Sequence, residues 1–192
     1  FPYTTLFRSE RGHQPEGIFA INTRDGVKHL RVPLTDDISV NMGQVTDEGE
    51  AITAATNGHI WNGYNISVGN PHAVVFVDEM AEIGALSEPP VVRPRDSYPE
   101  GVNVEFVKIT DGNSIQMRVF ERGSGETRSC GTGTCAVALA ATLHTKGKLP
   151  ATWIINPPGG RLEVSIDGHS NATLTGPAVL IRDVDISRFL VE

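Results

Sequence analysis

The chain has 192 residues, 39% hydrophobic and 20% charged, which is ordinary for a globular protein of one large domain or two small ones. Its formal net charge is −7, its pI is near 5.3 and it carries no basic stripe, which argues against nucleic acid as a partner. No apolar run approaches the roughly 20 residues of a membrane-crossing helix, no signal peptide is visible, and two cysteines make no secreted disulfide framework, so a reducing cytoplasm is the expected setting.

Residues 1–9, Phe1-Pro2-Tyr3-Thr4-Thr5-Leu6-Phe7-Arg8-Ser9, read like a translated sequencing adapter rather than native coding sequence, and there is no initiating Met. The expectation is a fragment whose fold begins after that segment. Strand signals then dominate. Residues 17–22 and 26–32 flank Thr23-Arg24-Asp25 as a hairpin candidate, and 37–42 reads as a further strand. Residues 60–68 and 73–77 bracket a Gly69-Asn70-Pro71-His72 turn. A short helix is expected at 79–86, and the four prolines of 89–99 predict a loop. Residues 102–109 and 114–121 flank Asp111-Gly112-Asn113, a strong hairpin signal. The Ala-rich run 132–145 predicts a helix, and strands follow at 152–156, 161–166 and 172–175, with turns at Pro157-Pro158-Gly159-Gly160 and Asp167-Gly168.

One internal repeat is visible. Ile21-Asn22 with Gly26, a strand, and Gly43 echo Ile155-Asn156 with Gly160, a strand, and Gly176. Gly26 and Gly160 stand 134 positions apart, Gly43 and Gly176 stand 133 apart. The second copy follows Cys130 and its helix; the same offset puts a counterpart of Cys130 just before residue 1. Chance likeness between two hairpins is the plain alternative.

Cys130 opens the most informative stretch, Ser129-Cys130-Gly131-Thr132-Gly133, at the start of the Ala-rich helix. Free backbone N–H groups and the positive end of the helix dipole gather there. Both favour a thiolate, the reactive form, and the same donors suit a carboxylate or phosphate. A cysteine acting on an anionic small molecule fits this place. The plain alternative, a small buried hydrophobe, fits Cys135 five residues on. A Cys130–Cys135 disulfide is disfavoured by helix geometry, and Cys-x4-Cys with His144 lacks zinc-ligand spacing.

Four motifs in order resemble the diaminopimelate epimerase family: Val68-Gly69-Asn70-Pro71-His72-Ala73-Val74-Val75, Gly101-Val102-Asn103-Val104-Glu105-Phe106, Val119-Phe120-Glu121-Arg122-Gly123-Ser124-Gly125-Glu126-Thr127 and Ser129-Cys130-Gly131-Thr132-Gly133. The resemblance runs from about Ile18 to the C-terminus. It implies an α/β (α+β) fold: two pseudo-symmetric domains, each a mixed sheet or barrel curled around a central helix, with the site between them. It implies isomerase chemistry that interconverts LL- and meso-diaminopimelate, in lysine and peptidoglycan synthesis, by two-thiol proton transfer. It implies no pyridoxal phosphate, no metal, a small-molecule substrate, and a homodimer for the full-length protein. Cys130 matches the second catalytic thiol. Gly131 and Thr132 match donors to the substrate α-carboxylate. Glu121 and Arg122 match a pair lining the site, Asn70 and Asn103 match groups recognising the distal end, and His72 matches a histidine beside the thiols. Each also has a plain reading: the asparagines as turn caps, His72 as a core histidine, Glu121 and Arg122 as a solvated strand end.

The chain departs from that pattern in one respect. The family's first catalytic cysteine lies in a Cys-Gly-Asn-Gly motif, absent here, so the 192 residues are expected to hold half of the active site and to be inactive alone. The implied division is residues 10–43 as remnant of an N-terminal domain, 44–178 as C-terminal domain and 179–192 as a tail returning to the first. Strands 18–43 would then expose Ile18, Ile21 and Val27 and invite self-association. Three alternatives remain: a proline or hydroxyproline racemase-like isomerase, a non-catalytic anion-binding module, and a nucleotide-binding module, the last opposed by the lack of a Lys or a third spaced Gly.

Overall fold

The computed structural model describes residues 17–23, 26–33 and 37–178; the adapter-like segment 1–9, residues 10–16 and the tail 179–192 lie outside the described residues. Apolar residues at every second position produce the strands. In chain order they are β1 (Gly17–Thr23), β2 (Gly26–Val32), β3 (Ile38–Gln44), β4 (Thr46–Thr56), β5 (His59–Ser67), β6 (Pro71–Phe76), β7 (Val91–Arg93), β8 (Asn103–Asp111), β9 (Ser114–Glu121) and β10 (Gly125–Thr127). Helix α1 (Gly131–His144) follows, then β11 (Ala151–Asn156), β12 (Leu162–Ile166) and β13 (Asn171–Gly176). All thirteen strands join one sheet in the order β1-β2-β3-β13-β12-β11-β9-β8-β6-β5-β4-β7, with β10 on β9. The β6–β8 and β11–β9 pairings are parallel and the others antiparallel, so the sheet is mixed, as expected.

Residues 133–142 of α1 are all buried, ten consecutive positions, so the helix has no solvent face. Strands from both arms of the sheet, β4, β5, β6, β8, β11, β12 and β13, pack around it. The alanines that fill α1 permit this close approach. Near its C-terminal end the Trp153 indole N–H donates to Thr142 Oγ1 at 2.8 Å, satisfying a buried donor.

The sequence repeat has a structural counterpart. Strands β1–β3 and β11–β13 are both three-stranded antiparallel meanders, joined by the β3–β13 pairing. In that pairing Val40 faces Leu174, 134 positions away, the repeat offset itself. Ser39 faces Thr175 and Asn41 faces Thr173, as a local two-fold axis through the Val40–Leu174 pair requires. The sheet therefore runs without a break across the expected boundary between residues 43 and 44.

Four expectations need correction. The helix expected at 79–86 is a single 3-10 turn, Met80–Ile83, ended by Gly84 at φ 63°. Residues 89–99 are not a plain loop: they hold β7 and a second 3-10 turn, Arg95–Ser97. Strand β4 has no forerunner in the sequence reading, because its first half is polar and fully exposed. The three-residue β10 is too short to leave a periodic signal. Of the apolar side chains expected on the surface, Ile18 and Val27 are 74% and 55% exposed, while Ile21 is half-buried against Leu30, Val32, Ile38 and Val40.

Candidate functional site

Cys130 is the N-cap of α1, with extended backbone at φ −128° and ψ 116°. Its carbonyl accepts from Thr134 N–H at 2.9 Å and from the Thr134 hydroxyl at 2.6 Å, which starts the helix without a side-chain cap at Cys130. The first-turn N–H groups of Gly131 and Thr132 have no intrahelical acceptor. A cavity of about 630 Å³ opens onto Ser129, Gly131 and Thr132, either side of the thiol. Lys28, Arg128 and Arg161 line it, a concentration of positive charge that the net charge of −7 does not foretell. Leu174 and Met42 line it from the β3–β13 seam. Cationic side chains around a helix N-terminus suit an anionic ligand.

The thiol itself does not follow the sequence expectation. Burial, then the Glu105 carboxylate, push the Cys130 thiol up to about 11, outweighing donation from Thr132 and the Gly133 N–H. The helix terminus therefore does not make a resting thiolate here. Near neutral pH the sulfur carries its proton, a state suited to a proton donor. Cys135 is fully buried in the core and pushed up to about 12, chiefly by burial.

A line of side chains leads from the thiol into the core. Cys130 Sγ lies 3.5 Å from Thr132 Oγ1, and the Asn70 amide donates to that hydroxyl over a long 3.4 Å. With its amide so turned, Asn70 offers its carbonyl to His72 Nε2 at 3.1 Å. His72 Nδ1 meets Glu105 Oε1 at 2.7 Å, and both residues are fully buried. Strand geometry explains the meeting. Parallel β6 and β8 put His72 beside Asn103, and alternation keeps His72 and Glu105 on the α1 face while Ala73, Val104 and Phe106 fill the opposite core. The turn at Gly69, with φ 81°, closes by a Val68 N–H bond to the Asn70 carbonyl and delivers Asn70 to the same end.

The structure thus brings Cys130, Thr132, Gly131, Asn70 and His72 together. Glu121 stands nearby: its carboxylate accepts from the Thr127 hydroxyl, and its charge adds slightly to the upward push on Cys130. Asn103 Oδ1 accepts from the Arg122 backbone N–H at 3.0 Å, a turn-capping contact. The Arg122 side chain reaches Glu100, 3.4 Å from its carbonyl and 3.8 Å from its carboxylate, and lines a different cavity with Tyr98 and Val102. Glu105 and the trio Lys28, Arg128 and Arg161 do not stand out in the sequence. The alternation of Asn103 and Glu105 with Val104 and Phe106 disguised Glu105 as a solvent-facing strand position, and the trio, scattered over the chain, left no signal. Among the described residues no three His, Cys, Asp or Glu side chains converge to hold a metal ion, and no helix is long and apolar enough to cross a membrane.

The sequence model of the diaminopimelate epimerase family matches residues 64–181. A diaminopimelate epimerase of Streptomyces coelicolor is 41% identical over 187 residues, covering 94% of this chain and 64% of that one. One of Parabacteroides distasonis is 36% identical, covering 88% and 64%. The chain therefore spans just under two thirds of the length of these relatives. Among solved structures, a hydroxyproline epimerase of Agrobacterium vitis superimposes with a TM-score of 0.67 at 17% identity, over 90% of this chain and 62% of that one. That likeness supports the mixed-sheet α+β fold and does not discriminate between substrates.

Proposed function

Because this chain belongs to the diaminopimelate epimerase family, we propose that it supplies one face of an amino-acid epimerase site, with Cys130 as one of two proton-transfer groups acting on diaminopimelate. The observation that carries the reading is the thiol at the N-cap of α1, beside a cavity with first-turn amides and the Lys28, Arg128 and Arg161 side chains. A substrate carboxylate held by Gly131 and Thr132 N–H groups brings its α-carbon to the sulfur. The α-hydrogen of an amino acid is a very weak acid, so charge developing on the carboxylate must be met by fixed donors as the proton leaves. In one direction the protonated Cys130 delivers a proton to the carbanionic carbon; in the other the thiolate removes it. Inversion needs a second group on the opposite face. Cys135, the other cysteine of the chain, lies wholly inside the core, so it does not fill that role.

On this reading Glu121 and His72 tune the thiol, and Asn70, Asn103 and Arg122 recognise the substrate. The full protein acts as a homodimer in the cytoplasm and calls for neither pyridoxal phosphate nor metal. The test is incubation of the 192-residue chain with LL- and meso-diaminopimelate in D2O. Deuterium should enter the α-carbon without inversion, at a rate rising about tenfold per pH unit as the thiolate fraction grows, and Cys130→Ser should abolish it. Equal incorporation by wild type and Cys130→Ser overturns the reading. Substrate binding with no exchange at any pH replaces it with a non-catalytic anion-binding module.

A further inference from the structure

Glu105 is an unusual tenant of the core. Its side chain is fully buried, Oε1 meets His72 Nδ1 at 2.7 Å, and Oε2 has no hydrogen-bond partner. A carboxylate left half satisfied in the interior is costly, by about 1–3 kcal/mol for the unmet acceptor alone. The backbone of α1 also makes room for it: a Cβ on Gly133 would stand 2.5 Å from Oε1, so glycine is the residue that fits there. The position is two residues from the family-like asparagine, Asn103, yet Glu105 touches neither the cavity nor the cationic rim.

We propose that Glu105 is a positioning residue for Cys130: its carboxylate anchors His72 and, through Asn70 and Thr132, holds the sulfhydryl in place as a proton donor. The order of contacts along the line supports this. The Asn70 amide faces Thr132 and its carbonyl faces His72, whose ring meets Glu105 Oε1 on its other side. Holding the ring at both nitrogens keeps the Asn70 amide toward Thr132, and the Thr132 hydroxyl 3.5 Å from the sulfur. The carboxylates that oppose a charge on the thiol are Glu105 on β8 and Glu121 on β9; His72 on β6 is in contact with Glu105, and Lys28 on β2 acts on the neighbouring Cys135. Glu105 is the stronger of the two carboxylates opposing a sulfur anion, and Thr132 and the Gly133 N–H are the donors favouring one.

The role rests on the proton-transfer reading of Cys130, but its test needs no substrate, so the two fail separately. The experiment is a titration of the intact 192-residue chain carrying 13C-labelled cysteine, following the Cys130 Cβ resonance from pH 8 upward, with Cys130→Ser for assignment. Glu105→Gln keeps the volume and a hydrogen bond to His72 while removing the charge. It should lower the midpoint by about one pH unit, giving roughly tenfold more thiolate at a fixed pH. Thr132→Val removes the hydroxyl beside the sulfur and Asn70→Ala removes the amide that orients that hydroxyl, both without touching Glu105, so both should raise the midpoint. These opposite signs are not produced by general loosening of the fold. An unmoved or raised midpoint in Glu105→Gln overturns the proposal. Should that variant fail to fold, an unmoved midpoint in Asn70→Ala overturns it equally.

Discussion

Gly133→Ala should destabilise the protein, although it replaces a helical glycine by the best helix former. A new Cβ would sit 2.5 Å from Glu105 Oε1, 3.2 Å from its Cδ and 3.3 Å from Cys130 Cβ. Ordinary contact begins near 3.4 Å, so the carboxylate must retreat by about 1 Å. The His72 Nδ1 bond, 2.7 Å long, then stretches beyond hydrogen-bond range. Breaking a buried pair costs about 3–5 kcal/mol, whereas Ala in place of Gly stabilises a helix interior by about 1 kcal/mol. The net loss is about 2–4 kcal/mol, or a fall in Tm of about 5–15 °C for a chain of this size. Thermal and urea unfolding measure it. The informative control is the same change in a Glu105→Ala background: with the carboxylate gone, Gly133→Ala should become stabilising by about 1 kcal/mol. A neutral or stabilising Gly133→Ala in the wild-type background, or the same loss in both backgrounds, would refute the account of Gly133 as room for Glu105.

The raised Cys130 thiol ties stability to alkaline pH. Its folded value of about 11 exceeds the unfolded value of 9.0, so its contribution is complete below pH 9 and is lost as pH rises toward 11. Cys130→Ala should flatten the fall of urea-unfolding free energy across that window, Cys135 accounting for part of what remains; an unchanged slope counts against the shift. Thr142→Val strips the Trp153 indole of its acceptor in a buried place and should cost about 1–3 kcal/mol, read from chemical denaturation followed by tryptophan fluorescence; a cost under about 0.5 kcal/mol would show that the bond does not matter there.

Period-two alternation made the strand pairs and turns legible, and the Ala-rich run made α1 legible. What escaped were elements whose stability comes from partners rather than from their own pattern. Strand β4 begins with six exposed residues and is held by its pairing with β5; β7 lies among prolines and is held by β4. Cys130 was legible as a candidate because glycines and a helix start surround it, and the structure does put it at the N-cap of α1. Its protonation state was not, because that depends on Glu105, a residue 25 positions away in sequence, and on burial that only the closed sheet creates. In β8 the pattern of Asn103 and Glu105 alternating with Val104 and Phe106 reads as a half-exposed strand. Both faces are in fact covered, one by α1 and one by the second core. A polar side of a strand thus became an interior polar line, which periodicity alone does not distinguish from a wet surface.

The two-fold relation between the meanders bears on chemistry as well as on architecture. Its axis passes through the Val40–Leu174 pair, and Leu174 also leans on the start of α1: a Cβ built on Gly131 would lie 3.4 Å from Leu174 Cδ2 and 3.7 Å from Met42 Cε. The helix end that carries the thiol therefore abuts the seam between the two copies rather than the middle of one. A ligand in the cavity at that seam touches side chains of both meanders, Lys28 and Met42 from one, Leu162 and Leu174 from the other. Inversion at a carbon requires acid and base on opposite faces, and a dyad beside the reacting carbon turns one thiol position into two. On the function proposed above, Cys130 at this seam serves one face of a substrate, and a group related to it by the two-fold would serve the other.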